Sequence, residues 1–165
     1  MKISIANRKI GSSMVEFLCG LVVLVPIVLL AIDLVSIYSG YSLNNRMCAD
    51  AARAAASGPP DALMSRSPRS RAEGVIHNVY DEATVKKYNV LGRVVIHPDC
   101  VVTERLTSPI PSAALGGPID GDVTVQTTVD VIPPFLIKQF MPGGVTLSTQ
   151  QTFPYTYIVP SKSSN

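Results

Sequence analysis

From Phe17 to Ile32 the chain carries no charged residue, and a carboxylate, Glu16, stands immediately before that run. Nothing else in the sequence restricts the fold so strongly. A helix that crosses a bilayer needs about 20 apolar residues. This segment reaches that length only if Glu16 or Asp33 lies near an interface. Beyond Asp33 the apolar character resumes with Leu34, Val35, Ile37 and Tyr38. The pattern predicts one span, roughly residues 14 to 37. Lys2, Arg8 and Lys9 flank its N-terminal side, which predicts that end in the cytoplasm and the remainder of the chain outside. An ionisable group at the entrance of a span is costly, which makes Glu16 a candidate functional residue.

The chain has 165 residues, enough for one anchor and one small domain. Charged residues make up 16% and the net charge is +2, too slight to argue for a nucleic-acid partner. The one basic cluster, Ser65 to Arg71, reads as a solvated loop.

Three kinds of processing compete at the N-terminus. An ordinary secretory signal is cut soon after its apolar core, at small residues. Here Asp33 to Met47 intervene before the first suitable site, around Ala49 to Ala56. A lipoprotein signal needs small residues before a cysteine, and neither Cys19 nor Cys48 has them. The third option is a cut between Gly11 and Ser12, ahead of the apolar core, which leaves the span on the mature chain. Glycine suits a protease that binds an unhindered, extended backbone. The cut exposes a new amine on Ser12. In an assembly, Glu16 can then meet the amine of a neighbouring subunit, which lowers the penalty for both charges in hydrocarbon. Alternatively Glu16 interacts with the dipole of its own helix, with Ser12 or Ser13 as the N-cap.

Helix formers continue past the bilayer through Leu43, Met47 and the alanines up to Ala56, and Gly58-Pro59-Pro60 stops them. An unbroken helix from Ser12 to Ser57 would be about 69 Å long at 1.5 Å per residue. Pro26 is expected to bend it. Arg46, Asp50 and Arg53 are spaced to neighbour one another on one face. The alanines are expected to pack on the chain's own C-terminal domain.

Gly11, then Val15-Glu16-Phe17, the apolar run with Pro26, Asp33, Leu43-Asn44-Asn45 and Ala51-Ala52-Arg53 together resemble the TadE-like family. Its members are pseudopilin-like minor subunits of the tight-adherence (Flp, type IVc) pilus system. The resemblance covers residues 8 to 56. Ser12-Ser13-Met14 stand where members often carry alanines. The resemblance implies cleavage at Gly11-Ser12 by a prepilin peptidase and a role in pilus assembly at the bacterial inner membrane. Its implied partners are other pilin or pseudopilin subunits and the assembly platform, besides membrane lipid.

The expected organisation is a leader (1–11), a transmembrane and extended helix (12–57), a linker (58–71) and an extracytoplasmic domain (72–165). Residues 72 to 89 show helical spacing. Strands are expected at Arg93 to His97, Val101 to Leu106, Asp122 to Ile132 and Val145 to Phe153. Val123, Val125, Val129 and Val131 share one face, the pattern of a sheet wet on one side. The fold class is therefore α+β: a long pilin-like N-terminal helix packed on a small antiparallel sheet, with one additional helix. Residues 133 to 142 concentrate Phe135, Leu136, Ile137, Phe140 and Met141. That loop is either a contact with a partner or the membrane surface, or a lid over one end of the core, the commoner role.

Enzyme chemistry is not expected. His97-Pro98-Asp99-Cys100 falls short of the four ligands of a structural metal site, and nothing there orients a nucleophile. No phosphate-binding loop and no cofactor are expected. Cys19 is expected to be a free thiol in the span. Cys48 and Cys100 both face the oxidising side in this topology, where a disulfide between them would pin the long helix to the sheet. Two functional classes remain: a structural subunit of a pilus machine, or an adhesin-like tip protein with an anchored recognition domain. Tyr155 and Tyr157 keep the second open.

Overall fold

The burial of α1 (Ala6–Ala56) changes abruptly at one residue. From Ser13 to Val28 every residue is exposed; from Asp33 onward Ser36, Gly40, Leu43, Asn44, Met47, Cys48, Ala51, Ala52 and Ala55 are buried. Steps of three and four define one helical face. The computed structural model describes residues 6–63, 67–88, 91–112 and 115–161, with side chains from Ser13 onward except 83 and 88. The expected leader thus lies partly outside the described residues. The helix runs without interruption through Pro26 and ends just before Gly58-Pro59-Pro60.

The face that begins at Asp33 lies on a four-stranded antiparallel sheet of β1 (Arg93–Ile96), β2 (Val101–Leu106), β3 (Gly117–Ile132) and β4 (Val145–Val159). β3 is central. One of its edges pairs with β4 along almost its whole length, from Gly117↔Val159 to Val131↔Val145. The other edge is shared by β1, opposite Val129 to Ile132, and β2, opposite Gly121 to Gln126. β1 and β2 thus form one interrupted edge strand: four residues, His97 to Cys100, face two, Thr127 and Thr128. Pro98 accounts for the break, because it has no N–H for a ladder.

Val123, Val125, Val129 and Val131 on the dry face of β3 pack against Leu43, Met47, Ala51, Ala52 and Ala55 of α1. The small alanines let α1 come close. Gly40 marks one close approach of α1 to the sheet: a Cβ there would lie 2.3 Å from Val131 Cγ2. Ala72 and Ile76 of α2 (Pro68–Val79) close the core from the side.

The α+β architecture is as expected, with differences in its parts. The single expected helix over 72 to 89 is two, α2 and α3 (Glu82–Tyr88). α2 starts within the expected linker, because Ser67 caps it, accepting the Ser70 N–H at 3.2 Å, and Pro68 fits the first turn. A second cap, Asp81 accepting the Thr84 N–H at 2.8 Å, divides the helices. β3 and β4 are longer than expected, through Pro118 and Pro154. Both prolines sit where a strand is an edge: β2 reaches only to Gly121, and β4 has a neighbour on one side. A further short helix, α4 (Leu136–Phe140), interrupts the β3–β4 connection.

Candidate functional site

Among the described residues, α1 is the one helix long and apolar enough to cross a membrane, which is compatible with a single-pass anchor. Ser13 to Ile32, ahead of the buried face, spans about 30 Å at 1.5 Å per residue, the thickness of a hydrocarbon core. Val15, Glu16 and Phe17 are exposed at its start. Gly11 and Ser12 lie within the helical backbone of α1, and their burial lies outside what is described.

Asp33 marks where the domain begins, and it is buried. Its carboxylate accepts the backbone N–H of Phe135 at 2.9 Å and of Ile137 at 2.8 Å. These are N-terminal amides of α4, which lack partners within so short a helix. A carboxylate there satisfies them and is itself satisfied. The expected lid is corrected accordingly. Only Pro133 of this segment is fully buried, while Phe135, Phe140 and Met141 face outward. Within the expected span, Asp33 and Ser36 are buried on the domain's contact face, while Leu34 and Val35 remain exposed.

Higher on α1, a buried polar cluster sets the register of helix on sheet. Asn44 Nδ2 donates to the Leu147 carbonyl and to Thr149 Oγ1, both at 3.1 Å, and Asn44 Oδ1 accepts the Thr127 hydroxyl at 2.8 Å. Thr127 lies opposite the β1–β2 bulge. One turn further along α1, the Cys48 thiol donates to the Val125 carbonyl at 3.2 Å. The structure does not form the disulfide that was possible between Cys48 and Cys100: both thiols are free and buried. Cys48 points at the backbone of β3, whereas Cys100 sits in the bulge near Glu73 and Arg69. Burial pushes both thiols above their ordinary range.

The far end of α1 is capped by Arg71. Its guanidinium donates to the Ala55 carbonyl at 2.7 Å and the Pro59 carbonyl at 3.0 Å, taking up carbonyls the helix leaves open. Tyr80 donates to Asp50 at 2.7 Å and ties α2 to α1. Tyr155, expected as a possible recognition residue, is buried and donates to Glu104 at 2.5 Å. On the wet face, the Thr146 hydroxyl and then His97 hold the Asp130 carboxyl below the usual carboxylate range. His97 is thus engaged with Asp130 at 2.8 Å.

A cleft of about 440 Å³ between α3 and β1 is lined by Tyr80, Val85, Lys86 and Val94, among others. Its charged residues are Glu82, Lys86 and Arg93, and Lys86 Nζ pairs with Glu82 at 3.2 Å in an exposed i, i+4 bridge along α3. Among the described residues no group of three or more His, Cys, Asp or Glu converges. Sequence reasoning found Glu16 and Asp33 as unusual charges, but missed that Asp33 holds a loop. The signal for Arg71 and Asn44 was absent, because their partners lie in other elements. Comparisons with protein-family models, with curated proteins and with solved structures found no match.

Proposed function

We propose that this chain is a minor pilin-like or pseudopilin-like structural subunit of the tight-adherence type. In this reading it is anchored in the bacterial inner membrane with its sheet domain outside. A prepilin peptidase cuts it between Gly11 and Ser12, and it contributes to pilus assembly. One observation carries the reading. A single helix serves as a fully exposed apolar stem from Ser13 to Val28, with one acidic residue at its entrance, and from Asp33 as the spine of an antiparallel sheet domain. Such a molecule delivers a domain to a membrane-bound assembly. Asp33 and Asn44, buried polar residues of α1, hold that helix to the β3–β4 connection and to the sheet.

Glu16 then has a role after processing. A carboxylate at a span entrance lies next to hydrocarbon, where a neighbour's Ser12 amine is a suitable partner in an assembly. The test is mass spectrometry of the chain extracted from membranes of a host with a working prepilin peptidase. The mature chain is expected to begin at Ser12, and Gly11→Ala to block the cut. Glu16→Ala is expected to be cut but to assemble poorly. A chain that retains Met1 in such a host would falsify the processing claim. The adhesin-like alternative predicts that deletion leaves filaments that form but do not stick.

A further inference from the structure

Among the described residues, the β3–β4 connection carries an exposed apolar cluster outside the stem. Phe140 is 83% exposed, Met141 49% and Phe135 40%. Leu136 and Ile137 turn partly inward, so the segment presents its aromatic side outward. Two features of α1 fix the height of this segment relative to a bilayer that holds the stem. First, Asp33 bonds directly to its Phe135 and Ile137 amides. Second, exposed apolar surface on α1 does not stop at Asp33. Leu34 and Val35 are each 55% exposed, and two exposed tyrosines follow, Tyr38 at 72% and Tyr41 at 48%. Tyrosine is enriched where a bilayer meets water. Tyr38 lies five residues beyond Asp33, about 7.5 Å along the axis at 1.5 Å per residue. A bilayer that covers Leu34 and Val35 and meets water at Tyr38 therefore has its boundary above Asp33.

We propose that the segment Phe135–Met141 is a second, non-spanning membrane contact, which inserts Phe140 and Met141 into the leaflet facing the sheet domain. The occupant is the lipid bilayer, because the patch is continuous with the apolar stem at the level Asp33 sets. Lys138, exposed in the same turn, places a cation among anionic headgroups while its stem lies along the apolar surface. The contact also accounts for Asp33. A carboxylate at this depth is costly without donors, and the α4 amides supply two. A single helix leaves a domain free to tilt and turn about its stem. A second contact fixes both, so the sheet domain stands in one orientation above the membrane. This proposal rests on the membrane-anchored reading above.

The chain has no tryptophan, so single substitutions give unambiguous fluorescence. Val22→Trp reports the stem, Phe140→Trp the loop, and Ile158→Trp the distal end of β4, opposite Pro118. Each full-length variant is placed in phosphatidylethanolamine–phosphatidylglycerol vesicles with a spin label either high or low on the acyl chain. Val22→Trp is expected to be quenched by the deep label and Ile158→Trp by neither. Phe140→Trp is expected to lose about half its emission to the shallow label, as for a side chain about 5–10 Å into the headgroup–acyl boundary. If Val22→Trp is quenched and Phe140→Trp is not, the second contact is overturned and the anchor stands. Emission of Phe140→Trp that follows protein density and ignores both labels identifies a second copy as the occupant, which also overturns it. An unquenched Val22→Trp overturns the anchored reading and this proposal together.

Discussion

Asp33, in the middle of α1, accepts the backbone N–H of Phe135 at 2.9 Å across 102 residues of sequence. This bond joins the end of the apolar stem to the foot of the sheet domain. Asp33→Ala removes the acceptor for two amides. It is expected to speed hydrogen exchange at Phe135 and Ile137 by about tenfold or more, equivalent to about 1.4 kcal/mol. Asp33→Asn keeps one acceptor oxygen and is expected to lose less. Unchanged exchange in the alanine variant would show that the carboxylate does not hold α4.

Gly40 predicts a conflict of sign. In an exposed helix, glycine to alanine stabilises by about 1 kcal/mol. Here the new Cβ would lie 2.3 Å from Cγ2 of Val131, which is fully buried and cannot move aside. Overpacking of this kind costs about 1–3 kcal/mol. Gly40→Ala is therefore expected to destabilise the full chain in detergent, as a lowered urea midpoint. In a Val131→Ala background the same substitution is expected to stabilise. A double-mutant cycle measures the coupling.

Tyr155 predicts behaviour in alkali. Burial first, and then its bond to Glu104, raise its phenol well above the ordinary range. A raised folded-state value means the folded chain holds the proton more tightly than the unfolded chain. The associated stability is fully present below about pH 10, the unfolded tyrosine value, and is lost as pH rises toward the folded one. Tyr155→Phe is expected to flatten the loss of stability in that alkaline window. A tyrosinate absorbance titration that finds every tyrosine ionising near its ordinary value contradicts the assignment.

The cysteines predict a chemical pattern. Cys48 and Cys100 are buried, unbonded and held as thiols, whereas Cys19 is exposed on the stem. In detergent, a water-soluble maleimide is expected to modify neither buried thiol until the domain unfolds. Cys100→Ser is expected to change stability far less than the about 2–5 kcal/mol lost with a native disulfide. Intact mass two daltons lower than the fully reduced chain would restore the bond that the geometry lacks.

The sequence by itself determined the parts whose pattern is local. The uncharged run before Asp33 requires a stem, Gly58-Pro59-Pro60 requires an end to the helix, and alternating valines require a sheet with one dry face. Gly11 and Glu16 stand out on the same local grounds. Ser67-Pro68 carries a helix-start pattern, but the surrounding serines and arginines made the segment read as a loop. Tertiary structure alone decided where the stem stops and the domain starts. Asp33 reads as a charge at the end of a span, and only the return of the chain through Phe135 makes it a cap. The same holds for Arg71 on the last carbonyls of α1 and for Asn44 between β3 and β4. A hydrogen bond between residues far apart in sequence leaves no periodicity. Its partners are chosen by which backbone groups the packed core leaves unpaired, and that is settled only once helix and sheet have met.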